Sequence, residues 1–170
     1  MKLQAIVAAL LLTLGAAKAE ARTLSFPQSN PQFSVSISDD WEAEATSSDV
    51  ISAKPKAKGA LFSFALANGE ATDAGTVDEA RKQMDKQFTD VEPGKLVRFS
   101  NKQGVRFFEQ YLSAKQDLGE QKVLAVSLLF AVFTIDGKKY FIFREGTPAA
   151  TERYDADLAA LVNSIAPLAK

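Results

Sequence analysis

The side chains able to do chemistry in this chain are few in kind, because its 170 residues contain no histidine and no cysteine. That removes Ser-His-Asp and Cys-His nucleophilic catalysis, the usual zinc ligand sets and the commonest general base near neutrality. Oxygen chemistry is what remains. Asp39 and Asp40 are neighbouring carboxylates of the kind that ligate a hard cation such as calcium. Adjacent strand residues point to opposite faces, however, and no spaced Asp/Asn/Gly loop follows, so the pair reads as a turn and cap. Glu109 and Glu145 would work as acid and base only if the fold brought them into one cleft and pushed their pKa values apart. A nucleophilic serine would need a lysine base, which must be desolvated to lose its proton. Lys54, Lys56, Lys58, Lys138 and Lys139 instead cluster in turn-like segments. Trp41, the single tryptophan, reads as a plug at one end of a core. These residues predict no catalytic site, no cofactor and no metal.

A surface is then the expected seat of function. Residues 115–122, Lys-Gln-Asp-Leu-Gly-Glu-Gln-Lys, read as a charged loop, and loops carried on a rigid scaffold are frequent contact sites. Asp117, Leu118 and Glu120 are its candidate binding residues.

The N-terminus supplies an address. Lys2 gives a basic start, 5–17 is apolar apart from Thr13 and Gly15, and Ala17-Lys18-Ala19 places small residues where a signal peptidase reads them. Cleavage is expected between Ala19 and Glu20, since the run is shorter than the roughly 20 residues that span a bilayer. Without Lys2 and Lys18 the remaining 151 residues hold 18 basic and 21 acidic side chains, a net charge of −3. Nothing in that balance asks for nucleic acid or an anionic membrane. The expectation is a periplasmic or secreted protein with no stable membrane insertion of the mature chain.

Elements can be placed by period. Residues 20–32 hold Pro27 and Pro31 and read as an extended lead, with order starting after them and a single domain over 33–170. Phe33, Val35 and Ile37 alternate with serines, as in a strand with one buried face, and Asp39-Asp40-Trp41 ends it. Short strands follow at 50–54 and 61–67. Thr76 and Glu79 form a capping box, and Val77, Ala80, Met84, Phe88 and Val91 make one apolar stripe, which predicts a helix over 77–91 stopped by Pro93-Gly94. Strands at 95–100 and 105–113 are joined by Asn101-Lys102-Gln103-Gly104, and strands at 124–135 and 139–145 by Asp136-Gly137, the strongest short hairpin signal. A second helix, starting near Thr147-Pro148 or Thr151, carries Tyr154, Leu158, Leu161, Val162 and Ile165 on one face and stops before Pro167. Residues 123–135 are apolar at nearly every position, as a central strand covered on both faces would be. The expected fold class is α+β: an αβα sandwich with a mostly antiparallel sheet of about six or seven strands and helices on both faces.

That order of elements resembles the PsbP-like sandwich family, which includes DcrB-type envelope proteins. The resemblance rests on the one-sided strand ending in a tryptophan turn, a long helix after the third strand, and Gly-Val-Arg-Phe at 104–107. Asp-Gly-Lys-Lys-Tyr at 136–140 and the Thr-Pro-Ala start of the last helix add to it. It implies binding of another macromolecule, a protein or lipid partner in the envelope, without catalysis, and it carries no fixed set of functional residues. An immunity or inhibitor role, and less readily a carboxylate-based hydrolase, are the alternatives.

Overall fold

The computed structural model describes residues 21–47, 49–58, 62–69 and 87–169. Ten strands and one helix lie among them: β1 Ala21–Phe26, β2 Phe33–Ser38, β3 Trp41–Ser47, β4 Val50–Pro55, β5 Phe62–Gly69, β6 Thr89–Ser100, β7 Arg106–Asp117, β8 Val123–Ile135, β9 Lys138–Gly146, helix α1 Pro148–Ser164 and β10 Ala166–Pro167. Strands β3 to β9 form one seven-stranded sheet in the order β3-β4-β5-β9-β8-β7-β6, and β1-β2-β10 form a small second sheet. All the pairings are antiparallel.

The turns form where local chemistry demands them. Asp136 and Gly137 both take positive φ, 50° and 76°, which is the mirror-image turn whose twist matches the two strands it joins. Strand β8 lies inside the sheet, paired to β7 on one side and β9 on the other. The middle position is taken by β9, where β8 had been expected.

Strand alternation sorts the core into two layers. On one face of the large sheet Leu129, Ala131, Phe133, Tyr140 and Ile142 pack against Phe26, Phe33, Val35 and Ile37 of the small sheet and Tyr154, Leu158, Leu161 and Val162 of α1. Phe33 meets the Tyr140 ring edge-on at 4.9 Å. On the other face Leu112, Ala114, Val126, Leu128 and Phe130 form a second cluster with Phe88.

Helix α1 starts as its sequence predicts, with Thr147 Oγ1 accepting from the Ala150 amide and Pro148 in the first turn. It is held at its far end by Asn101, whose Nδ2 donates to the carbonyls of Val162 and Ile165, both at 2.9 Å. The same side chain accepts from the amides of Gln103 and Val105. One buried amide thus ties the β6–β7 hairpin to the helix terminus. Trp41 is buried and meets the Tyr154 ring edge-on at 5.7 Å, with Nε1 donating to Asp157. It closes the core at this end, as its type suggests.

Several expectations are corrected. Most of the helix expected over 77–91 lies outside the described residues, but its last turn does not form. Thr89 to Val91 are already strand β6, which continues through Pro93-Gly94, with register shifts between Thr89 and Glu92 and between Pro93 and Leu96. Helix is therefore present on one face only among the described residues. Ordering also begins earlier than Phe33: Ala21 to Phe26 pair with Ser38 to Phe33, and Phe26 is fully buried. The part of this Pro-containing segment before Pro27 is extended because it is a strand, and Pro27 to Gln32 form the bend that connects it to β2. The loop expected at 115–121 is shortened, since β7 continues to Asp117.

Candidate functional site

Two places on this scaffold have chemistry to offer, and both involve strands β7 and β8. The first is its tip. Pairing of β8 with β9 stops at Ser127–Gly146, and pairing of β6 with β7 stops at Thr89–Lys115, whereas β7 and β8 remain paired to Asp117–Val123. The hairpin therefore projects past both neighbours. Its turn is tightly built: Asp117 Oδ1 accepts from the Gly119 amide at 2.8 Å, the Leu118 amide donates to the Lys122 carbonyl, and the Lys122 amide donates to the Gly119 carbonyl. Gly119, Glu120 and Gln121 are all left-handed. The structure thus brings Asp117, Leu118 and Glu120 together but uses the Asp117 carboxylate to shape the turn. Leu118 is 57% exposed and Val123, opposite Asp117 in the ladder, is 60% exposed. Glu120 is exposed and pairs with Lys122 at 3.3 Å, an ion pair of little energetic weight in water.

The second place is a buried polar cluster where β7, β8 and β9 face α1. Arg144 stands on β9 with Tyr140 and Ile142 as its same-face neighbours, and it has no exposed surface. Its Nη2 donates to Ser127 Oγ at 2.9 Å, while Nε and Nη1 have no hydrogen-bond partner among the described residues. Burial pulls the guanidinium pKa down, and Tyr111, Asp155 and Glu109 oppose that shift. Glu109 on β7 is 7% exposed and accepts a long hydrogen bond, 3.3 Å, from the Tyr111 hydroxyl. Burial pushes the Glu109 carboxyl up, more than Tyr111 and Arg144 bring it back. Burial, then the neighbouring Glu109, raises Tyr111.

The two glutamates considered as an acid–base pair are not brought together. Glu109 is opposite Ala131, on the face toward α1, whereas Glu145 is opposite Leu128, on the other face. Burial raises Glu145 as well, but a sheet separates the two groups. Asp39 and Asp40 lie in the β2–β3 turn, where the Asp40 amide donates to Ser38 Oγ and its carbonyl accepts from the Lys56 amide. No group of three or more acidic residues positioned for a metal occurs among the described residues. Ala19 and Glu20 lie outside them. Arg144 was missed by the sequence reading. Its signal was its parity, since Tyr140, Ile142 and Arg144 alternate along a strand whose inward positions are otherwise apolar.

No protein-family model matches the sequence, and no curated protein matches it. The fold does have relatives among solved structures. Cyanobacterial PsbP from Synechocystis superposes with a TM-score of 0.59 at 11% identity, covering 91% of this chain and 96% of that one. LpqN of Mycobacterium tuberculosis, involved in cell envelope biogenesis, gives 0.50 at 10% identity, covering 88% and 92%. A Pseudomonas aeruginosa protein of unknown function gives 0.50 at 15% identity, covering 81% and 92%. At such identities the likeness establishes the fold alone. That fold is PsbP-like.

Proposed function

We propose that this chain is a non-catalytic, exported accessory protein that binds a protein partner through the tip of the β7–β8 hairpin. The observation that carries the reading is the projection of that hairpin beyond the sheet with Leu118 and Val123 turned to water. Two apolar side chains of this size left in water at one hairpin tip are costly, and a usual use of such residues is contact. The turn is hydrogen-bonded internally, and Lys115, Asp117, Glu120 and Lys122 place charged groups on the same tip. LpqN, whose fold this chain shares, is involved in cell envelope biogenesis, which agrees with the export expected from the N-terminal sequence. No helix among the described residues is long and apolar enough to cross a membrane. An αβα sandwich with helices on both faces is part of the proposal, supported by the apolar stripe of the sequence over 77–88 and by the second apolar cluster.

The test is a photo-crosslinking residue at position 118 in cells, with position 56 as a control on another exposed loop. A defined adduct at 118 alone, formed outside the cytoplasm and lost on Val123→Asp with the fold intact by circular dichroism, supports the reading. Equal labelling at both positions, or an uncleaved Met1 in the membrane fraction, refutes it.

A further inference from the structure

Arg144 is the one charged side chain among the described residues with no exposed surface. A guanidinium keeps its proton under all ordinary conditions, so its charge sits in the interior and must be compensated there. One neutral hydroxyl, Ser127 Oγ, accepts from it. Nε and Nη1 remain without partners, and none of the ion pairs among the described residues includes Arg144. The acidic groups that face it, Glu109 and the Tyr111 phenol from β7 and Asp155 from α1, act on it through space without closing on it. One helical turn before Asp155, Thr151 Oγ1 is also buried without a partner. Buried polar groups are nearly always satisfied, so two unpartnered donors on one buried cation point to a missing acceptor.

We propose that Arg144 anchors a buried binding site for a small carboxylate, lined by Ser127, Glu109, Tyr111 and the first turns of α1. A carboxylate supplies the missing negative charge, and its two coplanar oxygens suit the fixed fork of guanidinium donors. Ser127 uses its oxygen as an acceptor toward Arg144, so its hydroxyl hydrogen is available to the ligand. Burial raises the Glu109 carboxyl, and Glu109 forms no ion pair with Arg144, so the guanidinium has no counter-charge in contact with it. Because Arg144 has no exposed surface, the ligand proposed is one of the smallest carboxylates, formate or acetate. The site is independent of the hairpin tip and of the reading built on it.

The test is thermal unfolding of the purified protein titrated with sodium formate against sodium chloride at equal ionic strength, alongside NMR of the arginine Nε–H groups. Formate should raise Tm by about 3 °C more than chloride, in a saturable way. One buried arginine Nε–H resonance should shift along the same curve. Leu118→Asp, at the separate hairpin tip, should retain the formate response and Arg144→Met should abolish it. If Arg144→Met does not fold, the wild-type NMR titration decides. Equal stabilisation by the two salts, a formate response that survives in Arg144→Met, or arginine resonances that ignore formate would each overturn the assignment. So would a formate-insensitive wild type whose Glu109→Gln variant unfolds, since Glu109 would then be the counter-charge.

Discussion

Replacing Asn101 by alanine should cost this protein about 3 kcal/mol. The side chain makes four hydrogen bonds: two donated to the Val162 and Ile165 carbonyls at 2.9 Å, and two accepted, from the Val105 amide at 2.9 Å and the Gln103 amide at 3.0 Å. Gln103 is exposed, so water can replace its bond. The other three are buried, and each contributes about 1 kcal/mol net. The helix end has no glycine to wind down its last carbonyls, because Ile165 is in extended conformation there, so Asn101 is their cap. Urea unfolding followed by the fluorescence of buried Trp41 would measure the loss, and a slope of about 2 kcal/mol/M puts the midpoint about 1.5 M lower. Asn163→Ala is the control. Asn163 bonds to Ala159 and Lys102 at the surface, and its removal should cost less than about 0.5 kcal/mol. A loss below about 1 kcal/mol for Asn101→Ala, or equal losses for the two variants, would refute the claim that this amide couples hairpin to helix.

Leu128→Ala should destabilise by about 2 to 5 kcal/mol in the same assay, because Leu128 has no exposed surface and its neighbours Phe130 and Val126 cannot collapse onto a lost isobutyl group without moving β8. Leu118→Asp should leave the unfolding midpoint within about 0.5 kcal/mol of wild type, since Leu118 packs on little. A larger loss would mean that the hairpin tip is structural. Glu145 is raised by burial from its ordinary value of 4.5. The folded state therefore holds its proton more tightly than the unfolded state. The resulting stability is present below pH 4.5 and is lost as pH rises through the folded value. Glu145→Gln should show a flatter fall in stability than wild type above that pH, and identical profiles would show that the carboxyl is not the source.

Much of this fold is legible in local sequence because its causes are local. The Phe33-Val35-Ile37 alternation, the left-handed Asp136-Gly137 turn and the Thr147-Pro148 helix start each act within a few residues, and each forms as read. The lack of histidine and cysteine likewise needs no coordinates to limit the chemistry. What only the tertiary structure decides is who meets whom across strands. Phe88 and Val91 fit a helical stripe, yet Thr89 to Val91 belong to β6 and Phe88 joins the cluster on the sheet's second face; the ladder to β7 overrides a three- and four-residue period that ends at its margin. Glu109 and Glu145 look equivalent in sequence, but a strand's two-residue period and the register of three antiparallel strands place them on opposite faces. The same register gathers Ser127, Glu109, Tyr111 and Arg144, up to 35 positions apart in the chain, from three strands. Periodicity assigns a residue to a face, but only the register, set by hairpin length and by the bulges of β6, assigns it neighbours.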